Sequence, residues 1–328
     1  MTLATFSATV DELMQIVAVH STRSYSWIGD LMSVTQQRGL TEIQSLQQCL
    51  QARLYADFYI QGGPVPASDR ADPRPDVGGA ERLSISQGPI AQSPVRCIYV
   101  GCTQTGHAVD WDGVVFHADA DTLDLPTGVR PGDAIVARVP GENLGIPGGF
   151  YTRYGNFGAA RRRQTTHRYY WNIEPAGRSL LVSRIATALN AREVPFRVKV
   201  ANDERTLRCD ACVLYVAASD HDVRAIVCSI AEQLSSHLGS RTPVGTLRLR
   251  PGLAFSEDPD DGSSFGSRLC ALLADGIIRV DLATTQPSRR SRDLIAWLAR
   301  KGVDPQSPHR VRSTSHAPPR EFGSRRGH

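Results

Sequence analysis

The sequence predicts an α+β fold: a mixed or antiparallel sheet flanked by helices, a helical N-terminal region and a disordered, basic C-terminal tail. Short β-rich runs separated by Gly and Pro turns fill residues 96–175. Apolar stripes at three- and four-residue spacing bracket them. Strands and helices do not alternate in regular βαβ units, which argues against a doubly wound parallel sheet.

In chain order, Val10, Met14 and Val17 make a first helical stripe, and Ile43, Leu46, Leu50 and Leu54 a second, so residues 1–60 are expected to be helical. Residues 61–95, rich in Gly, Pro, Ser and Asp, are expected to be a linker or long loop. The body of the fold is expected over 96–302. Strands are predicted at Cys97–Val100, Gly113–His117, Ala134–Val139, Phe150–Tyr154 and Arg168–Asn172, then at Phe196–Val200 and Ala211–Val216. Helices are predicted near 177–190, from Asp220 as N-cap, over 264–276 and over 291–301. Residues 303–328, rich in Pro, Arg and Ser, read as a disordered tail.

Composition narrows the function. The 328 residues are 41% hydrophobic with a net charge of +4, too little excess for general nucleic-acid binding. No apolar run reaches the ~18 residues of a membrane span. Met1 to Met14 carries Asp11 and Glu12 and has no basic segment before an apolar one, so no secretory signal is expected. Seven cysteines, an odd number, point to reduced thiols in the cytoplasm. Cys209 and Cys212 form a lone CxxC, too little for zinc, and His117 to Asp121 lacks the spacing of a cation loop, so no metal is expected. Gly262-Ser-Ser-Phe-Gly266 matches a nucleophile elbow in letters, but an acidic loop precedes it instead of a strand. Ser263 or Ser264 is expected to cap the helix that follows.

The charged strands are the candidate site. Of 37 basic residues only two are lysines, and Lys199 sits in an apolar, β-branched strand. Lysine, unlike arginine, becomes a base when burial strips its proton. Alternation puts Arg197 and Lys199 on one face of their strand, and Arg168 and Tyr170 on one face of theirs. His167 then faces away from Arg168. If the two strands are neighbours, these four side chains share a polar surface. The plain alternative is a solvated sheet face with snorkelling side chains. Arg153 and Arg161 to Arg163 add guanidinium groups suited to bidentate phosphate contacts.

These residues resemble those of the Hop-A-type effector-like family. The likeness rests on Arg168-x-Tyr-x-Asn172, Pro195-Phe-x-x-Lys199-Val with Asn202-Asp203, and Arg208-x-Asp210-Ala-x-Val-Leu-Tyr215. It extends to Thr242-Pro243 and to Glu257-Asp-Pro followed by Ser264-Phe-Gly266, and it covers about residues 140–280. Gly245-Thr246 and Arg268-Leu269 depart from the family pattern. Members occur as bacterial type III effectors and as subunits of lanthipeptide and thioamitide biosynthesis.

The resemblance implies a lyase that eliminates phosphate from phosphoserine or phosphothreonine of a precursor peptide, leaving dehydroalanine or dehydrobutyrine. The implied partners are that peptide, a separate Ser/Thr kinase and a cyclase subunit, with no cofactor, nucleic acid or membrane. Lys199 would be the base, with Arg168, Arg208, Arg153 and Arg197 on the phosphate and His167 or Tyr170 as the acid. A non-catalytic peptide-binding or scaffold subunit is the competing expectation.

Overall fold

The computed structural model describes residues 5–64, 92–103, 106–111, 114–146, 150–159, 165–201, 208–219, 222–258, 263–283 and 286–310. Among them are six α-helices and three antiparallel sheets. No helix among them is long and apolar enough to cross a membrane.

The N-terminal region begins with α1 (Phe6–Ile16), capped by the Thr5 hydroxyl. A small meander follows: β1 (Val17–Ser21), β2 (Ser24–Trp27) and β3 (Asp30–Ser33). Val17, assigned to the helical stripe by spacing, instead pairs with Trp27. The β-branched run Val17 to Val19 suits a pleated surface better than a helix turn. Next comes α2 (Glu42–Leu54), opened by a complete capping box between Thr41 and Gln44. It runs into a π-helical turn, Tyr55–Tyr59. The apolar stripes of α1 and α2 pack on two C-terminal helices, α5 (Phe265–Ala283) and α6 (Arg290–Arg300), so both ends of the chain share one core.

Most of the expected linker, residues 65–91, lies outside the described residues. β4 (Gln92–Thr103) starts within its expected end and joins β5 (Gly106–Trp111), β6 (Val114–Ala118), β7 (Leu123–Asp124) and β8 (Ala134–Pro140) in a five-stranded sheet.

The third sheet has seven strands. In chain order they are β9 (Glu142–Ile146), β10 (Phe150–Tyr154), β11 (Thr166–Trp171), β12 (Phe196–Ala201), β13 (Cys212–Ala217), β14 (Leu247–Arg250) and β15 (Leu253–Asp258). Their order across the sheet is β14-β15-β11-β13-β12-β10-β9. Between these strands lie α3 (Pro175–Asn190) and α4 (Val223–Gln233), which cover one face. Trp171, Phe196, Val198 and Leu214 are buried there with Leu181 and Ile185 of α3 and Val227 of α4. The expected N-cap Asp220 lies outside the described residues, and Asp222 precedes α4 without a side-chain cap.

The C-terminal expectation needs correction up to residue 310. Val303 and His309 are buried, and the Glu257 N–H donates to the His309 carbonyl at 2.8 Å. Residues 311–328 lie outside the described residues.

Candidate functional site

The seven-stranded sheet turns its other face towards the π-helical turn and the start of α5. β11 and β12 are not neighbours; β13 runs between them. The register nevertheless keeps the expected side chains on one face. Arg168 pairs with Tyr215, which pairs with Arg197; one row along, Tyr170 pairs with Val213, which pairs with Lys199. Because alternation holds on all three strands, four of the predicted residues meet on this surface.

Tyr215 is the residue that sequence reasoning quoted but gave no role. Its ring lies between two guanidinium groups, with Arg168 at 5.0 Å and Arg197 at 4.3 Å from the centroid. Such stacking holds flexible arginines in place through the ring quadrupole. A cross-strand reading that included β13 would have found it.

Lys199 occupies the middle of the cluster, half-buried, with Nζ 5.4 Å from the Phe150 ring centroid. Arg208 lies against the same ring at 5.2 Å. Burial, then the positive charges of Arg197, Arg168 and Arg208, hold the Lys199 ammonium below the usual lysine range, while Asp210 pulls the other way. Two carboxylates moderate the field. Arg168 is ion-paired with Asp258 and donates to the Ser263 carbonyl at 3.4 Å. Arg208 is ion-paired with Asp210, its second contact being 3.0 Å. Among the described residues neither Arg197 nor Lys199 has a carboxylate partner. With Lys199 protonated, four cations against two carboxylates among the described residues leave an excess of two positive charges, which suits a phosphate dianion.

The N-terminal region supplies one wall. The Tyr55 hydroxyl donates to Asp210 and accepts from Arg208, each at 3.4 Å. Tyr59 is buried near Tyr170, whose hydroxyl shares a 3.0 Å bond with the Ser256 hydroxyl. Gly266 lets this wall close, because any Cβ there would strike the Tyr59 ring. Nothing in the periodicity of residues 1–60 marked Tyr55 or Tyr59 as site residues. A π-turn at the end of a helix is the feature that aims them.

Two predicted residues are not in this cluster. His167 pairs with Val216 and meets the Phe255 ring edge-on, centroids 4.9 Å apart, on the helix-covered face. Arg153 pairs with Val198 on that same face. Both strands are regular at these positions, so no bulge redirects either side chain. Tyr170 is on the right face but buried, its phenol pushed well up by burial. Arg161 to Arg163 and Asn202-Asp203 lie outside the described residues. Ser264 caps α5, accepting from the Ser267 N–H at 3.0 Å. Burial pushes the Cys209 thiol up to about 12, and Cys212 is fully buried.

The segment that carries this cluster is also the segment with relatives. The profile of the HopA1 effector protein family matches residues 145–310, about half of the chain. The chain belongs to that family. The match takes in all the strands of the cluster but stops short of Tyr55 and Tyr59.

Two solved structures are similar to this HopA1-family chain. One is the effector protein from Pseudomonas syringae pv. tomato strain DC3000, with 20% identity, a TM-score of 0.41, and 52% of this chain and 66% of that chain covered. The other is the effector protein from Pseudomonas syringae pv. syringae strain 61, with 19% identity, a TM-score of 0.38, and coverages of 50% and 62%. The chain thus spans somewhat less than two thirds of the length of each. A search of curated protein sequences finds no match.

Proposed function

We propose that this chain is a phosphoserine/phosphothreonine lyase. The observation that carries the reading is the half-buried Lys199 set among Arg168, Arg197 and Arg208, which together depress its pKa. β-Elimination asks for that combination: a neutral amine to take the α-proton, beside fixed cations that hold the leaving phosphate.

In this reading Lys199 Nζ takes the α-proton of the phosphorylated residue. The C–H pair becomes the Cα=Cβ bond, the Cβ–O bond breaks, and phosphate leaves with that electron pair. Arg197, Arg168 and Arg208 receive its charge, and holding the ester there brings the α-carbon to the amine. Since His167 faces the helices and Tyr170 is buried against Ser256, Tyr215 is the phenol placed to donate a proton to the leaving group. Such an enzyme consumes a phosphopeptide. A separate Ser/Thr kinase acting on a precursor peptide would supply it, and a cyclase would use the dehydroamino acid formed.

The paired state of Arg168 and Arg208 favours one other reading, a phosphopeptide-binding or scaffold subunit that uses the same cations without chemistry. One experiment separates the two: mass spectrometry of a synthetic phosphoserine peptide incubated with this protein alone. Loss of phosphoric acid, absent with Lys199→Met, supports the lyase. Binding of the peptide without loss of mass supports the scaffold and ends the lyase reading.

A further inference from the structure

A second cluster of reactive groups lies in the five-stranded sheet. In a regular strand, residues 99 and 102 would project to opposite faces. The β4–β5 register shifts between Tyr99 and Gly101, and Gly101 takes φ +151°, so Cys102 comes round to the side of Tyr99. There it pairs with His107 across the hairpin. The Tyr99 hydroxyl stands 3.1 Å from Cys102 Sγ and 3.0 Å from His107 Nδ1, with Sγ and Nδ1 3.8 Å apart. Tyr99 is otherwise buried, whereas Cys102 is the one exposed cysteine of the seven. Bulges that re-aim a side chain in this way recur beside active sites.

We propose that Cys102, Tyr99 and His107 form a thiol-nucleophile site for uncharged α,β-unsaturated carbonyl compounds. The thiol S–H donates to the Tyr99 oxygen, whose O–H donates to Nδ1 of His107. As Sγ bonds to the β-carbon of the acceptor, the thiol proton passes to the Tyr99 oxygen and the Tyr99 proton to His107. The C=C pair moves to the α-carbon, which regains a proton from His107 through water. The product is a thioether by net addition, with nothing released and no co-reactant required. The site does not depend on the chemistry proposed for the cation face.

The test is alkylation of the full chain by acrylamide at pH 7, with each cysteine followed by peptide mass spectrometry. Cys102 should react about a hundredfold faster in the native chain than in the guanidinium-unfolded chain, the lower end of general-base assistance. His107→Gln and Tyr99→Phe should each remove most of that advantage. A native rate no higher than the unfolded rate overturns the proposal, whatever the variants do. So does an unchanged rate in folded His107→Gln.

Discussion

Replacing Lys199 with methionine keeps the length and apolar stem of the side chain but deletes the amine. The size of the effect follows from what else stands on that face. The carboxylates of Asp210 and Asp258 are held in ion pairs, and the Tyr170 hydroxyl is bonded to Ser256. No described carboxylate or amine on that face is left free to take over as base. The loss should therefore lie towards the upper end of general-base contributions, about 10³- to 10⁴-fold in kcat, or roughly 4–5.5 kcal/mol of barrier. Arg168, Arg197 and Arg208 remain, so KM for a phosphoserine peptide should change little. The assay is single-turnover mass spectrometry of that peptide, across a pH series. Wild-type rate should rise with pH as Lys199 loses its proton, levelling off below the ordinary lysine pKa of about 10.4 because the folded value is depressed. Arg197→Gln removes the largest neighbouring charge behind that depression, so its rising limb should move to higher pH. Full elimination activity in Lys199→Met would falsify the base assignment. A rising limb unmoved by Arg197→Gln would show that some other group sets the profile.

Linkage gives Lys199→Met a second signature. A depressed lysine pKa means the folded chain binds fewer protons than the unfolded one between the folded and unfolded values. The resulting penalty on folding is fully present below that window and vanishes above about pH 10.4. The methionine variant should therefore be at least as stable as wild type at pH 7 by urea denaturation, with the difference shrinking at alkaline pH. Arg208→Gln should do the reverse. It leaves Asp210 buried without its cation, at a cost of about 3–5 kcal/mol in the same assay, and adding Asp210→Asn should recover much of that. Trp171→Ala should cost about 3–5 kcal/mol, because its indole is fully buried between the sheet and its helices.

Local chemistry made the site strands legible. Alternation placed Arg168 with Tyr170 and Arg197 with Lys199, and the register preserved both pairs. It also placed His167 on the opposite face, where the structure has it. Long-range order was not legible. Nothing in β11 or β12 states that β13 runs between them, so Tyr215 had no visible role. β14 and β15 were missed because Leu247 to Arg250 is short and Leu253 to Asp258 runs from apolar to acidic, hiding its alternation. The β1–β3 meander was missed because a helical stripe at Val10 and Met14 extends by chance to Val17.

The position of Tyr55 and Tyr59 bears on what the minimal active unit is. The family match begins at residue 145, yet Arg208 and Asp210 are bridged by a hydroxyl from residue 55. The segment after the π-turn is tied down as well: the Cys209 N–H donates to the Ile60 carbonyl at 2.8 Å, and the Val244 N–H to the Tyr59 carbonyl at 3.3 Å. α2 in turn is packed against α5, whose first residues adjoin Arg168 through the Ser263 carbonyl. A truncation to the matched segment would thus remove one wall of the cation face and strip α5 of the core it shares with α1 and α2. Tyr55→Phe in the full chain isolates the smaller effect. With the fold kept and one bridging hydroxyl gone, Arg208 should lose orientation, raising KM for the phosphopeptide more than it lowers kcat. An equal fall in kcat with KM unchanged would instead place Tyr55 in the chemical step.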